Sequence, residues 1–444
     1  MNVRFSALLA PLFAAAVAAS AWAAGPSDPT RECLECHSER MPGLVTQWES
    51  SAHWNAGVGC YECHKADAGD ADAMEHNGWT ISIIVSPRDC GRCHEKEATE
   101  QEASHHAQAG NILNSKDGLL GQTVGGEPAV AVGCRQCHGS VVRVVEGGRL
   151  DPATWPNTGI GRVNPDGSKG TCSACHTRHR FSKAQARRPE VCGKCHLGPD
   201  HPQKEVYEES KHGILYRAFA DELNMDRPKW VAGEDYYDAP TCATCHMSAT
   251  PTQGVTHDVG SRLSWNLRAP ISSRTKNWEK KLAAMKDVCS ACHGGDFVEG
   301  FYGQLDAFVE LYNDKFAKTA KAIRARLIEE GVLTAQDFDD RIDWIWWELW
   351  HHEGRRARHG AAMSGPDYAW WHGIYEVAKH FYTELLPEAK DACERAGKPE
   401  LYEKILAEYI TSDLRHEWFV KGFDPKRVEE IKKYYEERYH QKVE

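Results

Sequence analysis

Past its first two dozen residues the chain lacks any apolar run long enough to cross a bilayer. The stretch WIWWELW at 344–350 is seven residues long and carries Glu348. Positive charge is also short: 53 Lys and Arg stand against 64 Asp and Glu, leaving −11 and a pI near 6.1. That balance argues against nucleic acid as a partner. Apolar residues make up 41% of 444 residues, with a mean hydropathy of −0.58. This supply is thin for so long a chain, and it points to an interior filled by something besides side chains. Strand-like alternation is scarce as well.

The N-terminus, MNVRFSALLAPLFAAAVAASAWAAG, has Arg4, an apolar run over 6–18 and the small-residue site Ala21-Trp22-Ala23. This is the pattern of a secretory signal peptide over 1–23. The expectation is a periplasmic protein, soluble after cleavage near Ala24.

What the chain does have is cysteine. Of 17, 16 fall in one repeated pattern: CLECH (33–37), CYECH (60–64), CGRCH (90–94), CRQCH (134–138), CSACH (172–176), CGKCH (192–196), CATCH (242–246) and CSACH (289–293). Random placement of this composition gives about 0.03 copies. C-x-x-C-H is the c-type haem attachment motif, in which two thiols bond the porphyrin and the adjacent His binds iron. Zinc knuckles and disulfides do not require a His after every pair. The attaching thiols are therefore Cys33, Cys36, Cys60, Cys63, Cys90, Cys93, Cys134, Cys137, Cys172, Cys175, Cys192, Cys195, Cys242, Cys245, Cys289 and Cys292. The proximal ligands are His37, His64, His94, His138, His176, His196, His246 and His293. Eight c-type haems follow. Cys393 has no His beside it and reads as a buried free thiol.

The motifs lie between Cys33 and His293, too close together for each to own a domain. The spacer DPATWPNTGIGRVNPDGSKG (151–170) reads as a long ordered loop. From about 303 helical periodicity takes over, with a first helix ending at Gly331, a second over about 335–360, a third from Pro366-Asp367, and others near 387–396, 399–412 and 425–440. The expected fold is mainly α with little strand: a haem-packed lobe over 24–302 and a helical lobe over 303–444 that supplies distal ligands and subunit contacts. Trp344, Trp346, Trp347, Trp350, Trp370 and Trp371 suit haem faces and ordinary helix packing equally. Arg355, Arg356 and Arg358 read as a solvated face or as partners of buried carboxylates or propionates.

Six-coordinate irons need a second His. Glu-x-Ser-x-His recurs as ESSAH (49–53), EASHH (102–106) and EESKH (208–212), which marks His53, His106 and His212 as distal ligands. His179, His257 and His372 are further candidates. His352 and His359 are seven apart and share one face of a regular helix, so one or both can reach iron. His76, His380, His416 and His440 read as surface or structural. Counting one ligand from HHEGRRARHG gives seven distal histidines for eight irons, which leaves one iron with an open face for substrate.

GCRQCHGSVV, the run TWPNTGIGRVNPDGSKGTCSACHTRHRFSKAQARRPEVCGKCHLGPDHPQKEVYEESKHG, HHEGRRARHGAAM and DYAWWHG together resemble the octahaem hydroxylamine oxidoreductase family. The resemblance implies a catalytic fourth haem on Cys134, Cys137 and His138, without a distal protein ligand. It implies that Asp200 and His201 face the open iron, with Asp200 setting the tautomer of His201. By its position alone, Asp200 could equally cap a helix before Pro202. The resemblance further implies a distal tyrosine, for which Tyr302 is the candidate, and a homotrimer. In oxidising members a neighbouring subunit's tyrosine cross-links to the catalytic porphyrin; Tyr368 is the candidate, and packing within a helix is the other reading.

The implied activity is hydroxylamine oxidation to nitric oxide or nitrite. Shorter members without the tyrosine run reductively, from nitrite or hydroxylamine to ammonium. Electrons would pass to a soluble cytochrome or a quinone-linked membrane protein. The rival class is a non-catalytic electron conduit in which every iron is six-coordinate. A five-coordinate, high-spin signal separates the two.

Overall fold

The computed structural model describes residues 25–440, so the expected signal segment over 1–23 lies outside the described residues. Helices take about 60% of the chain and strands 5%. The strands form short antiparallel hairpins, such as β1 (Met74–His76) with β2 (Trp79–Ile81). The fold is mainly α, as the periodicity predicts.

Each attachment motif is one helical turn. The motif CYECH is the helix Cys60–His64, CRQCH is Cys134–His138, and CATCH is Cys242–His246. CLECH lies within the helix Asp28–Arg40; where a motif crosses a helix end the turn persists, as the amides of His94 and His293 donate to the Cys90 and Cys289 carbonyls at 2.9 Å. Positions i, i+3 and i+4 of a turn share one face. Both thiols and the imidazole therefore point to the same side, which is why this spacing works.

The spacer over 151–170 is irregular and pinned to the fourth motif. Ile160 N donates to Cys137 O at 2.9 Å and Gly161 N to His138 O at 3.2 Å. Gly159 is held so close that a Cβ there would meet Gly139 N at 2.0 Å, so only glycine fits.

The largest apolar cluster lies in the C-terminal half, around Phe316, Ile323, Leu327, Leu349, Phe381, Leu385 and Ile405. Cys393 is buried in it, as expected of a free thiol. The first predicted helix comprises Gly295–Leu311, a π segment at Tyr312–Ala317, and Lys318–Glu329, and ends at Gly331 with φ +66°. Gly295–Leu311 runs through residue 302, so the two lobes share a helix at the expected boundary. The second helix begins at Arg341 rather than near 335. Here Asp343 accepts from the Phe338 amide at 3.0 Å and Asp339 from the Thr334 hydroxyl at 2.6 Å, so polar turns hold the preceding segment. A π segment, Glu348–Glu353, then separates Arg341–Trp347 from Gly354–Ala362.

Phe381 is fully buried, stacked on His416 at 5.4 Å and edge-on to Phe316 at 5.6 Å. Phe381→Ala should cost about 3–5 kcal/mol, read as lowered resistance to denaturant by far-UV circular dichroism with haem content unchanged. A variant as stable as the parent would show that this cluster does not hold the lobe together.

Candidate haem sites and active site

The interior between the motifs is a connected cavity of about 4000 Å³. Every proximal His lines it, as does every motif cysteine except Cys292. Divided among eight motifs this is about 500 Å³ each, within the ~300–1,000 Å³ of a single cofactor site. Side chains do not fill this space, in keeping with the thin apolar supply.

Contacts between motif thiols order the sites. Cys90 lies against Cys172, Cys192 against Cys242, and Cys195 against Cys137. The third motif thus adjoins the fifth, and the sixth adjoins both the seventh and the fourth.

The imidazoles come in pairs. Two imidazoles on opposite sides of one metal, with bonds of about 2.0–2.1 Å, place their ring centres about 6.3 Å apart. Ring centres are 6.2 Å apart for His94 and His53, 6.4 Å for His64 and His179, 6.1 Å for His293 and His212, and 6.1 Å for His196 and His106. His201 is also 6.4 Å from His196. Burial first, then the neighbouring His257, pulls His176 down to about 4. Burial and His64 pull His179 down to about 4, and burial and His246 do the same to His106. These imidazoles are held neutral, with a lone pair free for a metal. The donor set fits haem iron ligated on both faces.

The repeated Glu-x-Ser-x-His frame has a physical basis. Ser51 accepts from Trp54 N at 3.2 Å, Ser104 from His106 N at 3.2 Å, and Ser210 from Gly213 N at 3.2 Å. Each buried serine ends one segment and caps the next turn, which aims the histidine two residues on.

Several expectations need correction. His76, read as surface or structural, stands 6.2 Å from His37, the spacing of a ligand pair. It sits at the end of β1, before the turn Asn77-Gly78 with φ of +50° and +84°. Asn-Gly announces the hairpin that carries it, but not what that hairpin faces. His352 does not share a face with His359, because the π segment widens the turn and shifts the helical phase. Its ring packs on His351 at 5.2 Å, and it does not line the cavity. His372 lies on the outer surface beside Asp367 and Glu376 at 3.4 Å. His359 is buried on the cavity wall, with Nε2 3.3 Å from Gln203 Nε2. Burial, then Arg358 and Arg355, holds it near 3. Tyr302 does not join Asp200 and His201: its hydroxyl is 3.9 Å from Cys289 Sγ, at the eighth motif, because its helix packs behind that motif. Tyr368 is half-buried, with its amide donating to Glu209 at 3.4 Å. Trp346, Trp347 and Trp350 line the cavity, whereas Trp370 and Trp371 are exposed.

Asp200 and His201 enter the cavity wall together. His201 Nδ1 is 2.5 Å from Asp200 Oδ1, which leaves Nε2 free. Asp200 does not cap the next helix, Gln203–Glu209, whose N-cap position is Pro202. Its other oxygen accepts from Arg355 Nη1 at 3.2 Å. Burial alone would push the Asp200 carboxyl up, but the bond to His201 and the charges of His201, His351 and Arg355 outweigh it and hold it near 2. Asp200 is therefore a carboxylate throughout the ordinary pH range. His138 is lowered by burial first and by His201 next, so the fourth motif and this pair face a common space. The neighbourhood holds residues that sequence reasoning missed. His351 Nε2 is 2.6 Å from Asp117 Oδ1 and 3.0 Å from Arg355 Nη1. The arginine cluster is paired: Arg355 with Asp200, Arg356 with Glu353 at 3.2 Å and Glu376 at 2.5 Å, and buried Arg358 with the Ala269 carbonyl at 2.8 Å.

Comparison with known proteins follows the same lines. Residues 163–341 match the family model described as seven times multi-haem cytochrome CxxCH, and residues 15–65 match that of cytochrome c554 and c-prime. The chain is 27% identical over 343 residues to a "probable nitrite reductase-hydroxylamine oxidoreductase fusion protein" of Kuenenia stuttgartiensis, covering 63% of this chain and 35% of that protein. It thus spans about a third of that relative's length. A solved hypothetical multiheme protein superposes with a TM-score of 0.74 at 26% identity, covering 86% of this chain and 97% of the other. A reducing HAO-like protein complex of Kuenenia stuttgartiensis shares the fold with a TM-score of 0.60 at 21% identity, covering 84% and 87%. With its repeated C-x-x-C-H turns, its imidazole pairs and a common cavity between them, the chain is similar to multihaem cytochromes c, and residues 163–341 match that family's model.

Proposed function

We propose that the protein is an exported octahaem enzyme for multi-electron redox of small nitrogen compounds, oxidising hydroxylamine to nitric oxide or nitrite at the fourth haem. The observation that carries this reading is the Asp200–His201 pair on the wall of the cavity that His138 also lines. His201 spends its Nδ1 on a carboxylate and turns Nε2 to the space, the arrangement of a proton acceptor rather than of an idle surface residue. Bound haem would supply the redox chemistry and a coordination position for substrate nitrogen. Within the protein, His201 Nε2 takes a proton from the bound substrate, and Asp200 fixes the tautomer and steadies the imidazolium. Arg355 fixes Asp200 in turn. Six of the other seven haems would be ligated by the pairs His37–His76, His64–His179, His94–His53, His176–His257, His196–His106 and His293–His212. They would pass electrons to a soluble cytochrome or a quinone-linked membrane protein.

The reverse reading, nitrite or hydroxylamine reduced to ammonium, uses the same residues. It is favoured by the relative that joins nitrite reductase to hydroxylamine oxidoreductase. A homotrimer in which the partner's Tyr368 meets the catalytic porphyrin would go with the oxidative direction. Steady-state hydroxylamine oxidation measured beside nitrite reduction, with optical and magnetic spectra of the same sample, decides between them. A protein inactive in both assays, with every haem low-spin, would be an electron conduit.

His201→Ala should retain all eight haems and lower turnover by roughly 10²–10⁴-fold; full activity would remove the proton-handling role. His76→Ala should leave haem content unchanged and add one high-spin haem to the spectrum. A spectrum identical to the parent's would strike His76 from the ligand set.

A further inference from the structure

The polar cluster at the fourth motif contains two carboxylate–imidazole pairs, Asp200 with His201 and Asp117 with His351. We propose that His351 and Asp117 form a proton relay that takes protons on from Asp200 and His201. This deepens the catalytic reading above and rests on it.

The geometry is continuous. His201 Nδ1 meets Asp200 Oδ1 at 2.5 Å, Asp200 Oδ2 stands 3.9 Å from His351 Nε2, and His351 Nε2 meets Asp117 Oδ1 at 2.6 Å. The middle gap is within reach of a small carboxylate rotation or of one bridging water. The path passes through a buried step: the His351 side chain is 5% exposed, between Asp200 at 23% and Asp117 at 31%.

His351 is not placed as a structural histidine would be. Its Nδ1 is buried without a partner, which costs stability, while Nε2 alone faces the charged groups. The ring is fixed by stacking on Trp347 at 4.0 Å and by the edge of Trp350 at 5.0 Å. The π segment Glu348–Glu353 sets its direction, and such segments are frequent at functional sites. The titratable and charged groups around the ring are Asp117, Asp200, Arg355 and His352. Arg355 keeps its proton at any ordinary pH and so positions the others without taking part in transfer. Asp117 and Asp200 both present oxygens toward Nε2, so a proton on that nitrogen has a carboxylate partner on either side of the transfer.

The chemistry needs such an outlet. One hydroxylamine and one water yield one nitrite, four electrons and five protons. The electrons leave through the other haems to the redox partner. A single imidazole holds one proton at a time, so His201 has to discharge between steps. In the reductive direction the same string carries protons inward.

The test is His351→Gln in the full-length haem-loaded protein, with Asp117→Asn as a second variant. Both should keep the parent's haem content and high-spin signal. Each should lower kcat by about tenfold or more while KM stays within about twofold. Each should also displace the same limb of the pH–kcat profile and enlarge the solvent deuterium effect on kcat. If His351→Gln fails to accumulate, Asp117→Asn decides. An active parent whose variants keep its kcat and pH profile overturns the relay alone. A parent inactive in both directions overturns the relay together with the catalytic reading beneath it.

Discussion

The structure depends on one constraint: pairs of imidazoles must stand about 6 Å apart, one of each pair fixed beside two thiols on a helical turn. A metal–nitrogen bond tolerates little error in length or direction. Backbone hydrogen bonds therefore do the aiming. On the proximal side they close the C-x-x-C-H turn. On the distal side buried serines interrupt the chain and restart it two residues before the ligand. The space between is shared by all the motifs, so no part of the N-terminal lobe can be packed independently of the others.

That arrangement changes what holds the protein together. Where a chain of this size would ordinarily bury an apolar core, the N-terminal lobe surrounds a cavity and relies on covalent attachment to fill it. The C-terminal helices keep a conventional core around Phe316, Leu349 and Phe381, and Trp350, Arg355 and His359 from these helices line the cavity. Their contribution to the fourth site is electrostatic. Arg355 and His351 enter from there to meet Asp200 and Asp117 from the other lobe. A buried carboxylate alone would be driven toward its neutral form; the bond to His201, with Arg355 brought in from the C-terminal helices, keeps Asp200 ionised.

Local signals carried some features and missed others. The helices ending at Gly331 and spanning Leu386–Arg395 and Pro425–Tyr439 follow from periodicity and from their proline and glycine punctuation. The Glu-x-Ser-x-His repeat was visible because a cap and its histidine are neighbours in sequence. His76 was passed over even though Asn77-Gly78 announces a hairpin, because nothing local says what the hairpin faces. A regular helix would put His352 and His359 on one face, and the π segment Glu348–Glu353 breaks that phase. Tyr302 was aligned to a role at the fourth site, but its helix delivers it to Cys289.

The sequence by itself determined the covalent chemistry: the thiols, the proximal imidazoles, the mainly α architecture and the adjacency of Asp200 to His201. These are set within four or five residues, where the geometry of one turn leaves no freedom. The tertiary structure alone decided which distant imidazole opposes which. It also decided that His351 and Asp117 meet although more than two hundred residues separate them, and that the arginines of 355–358 turn inward to buried acceptors. Those outcomes depend on how helices from the two lobes pack around a shared cavity, and a contact of that range leaves no periodic trace along the chain.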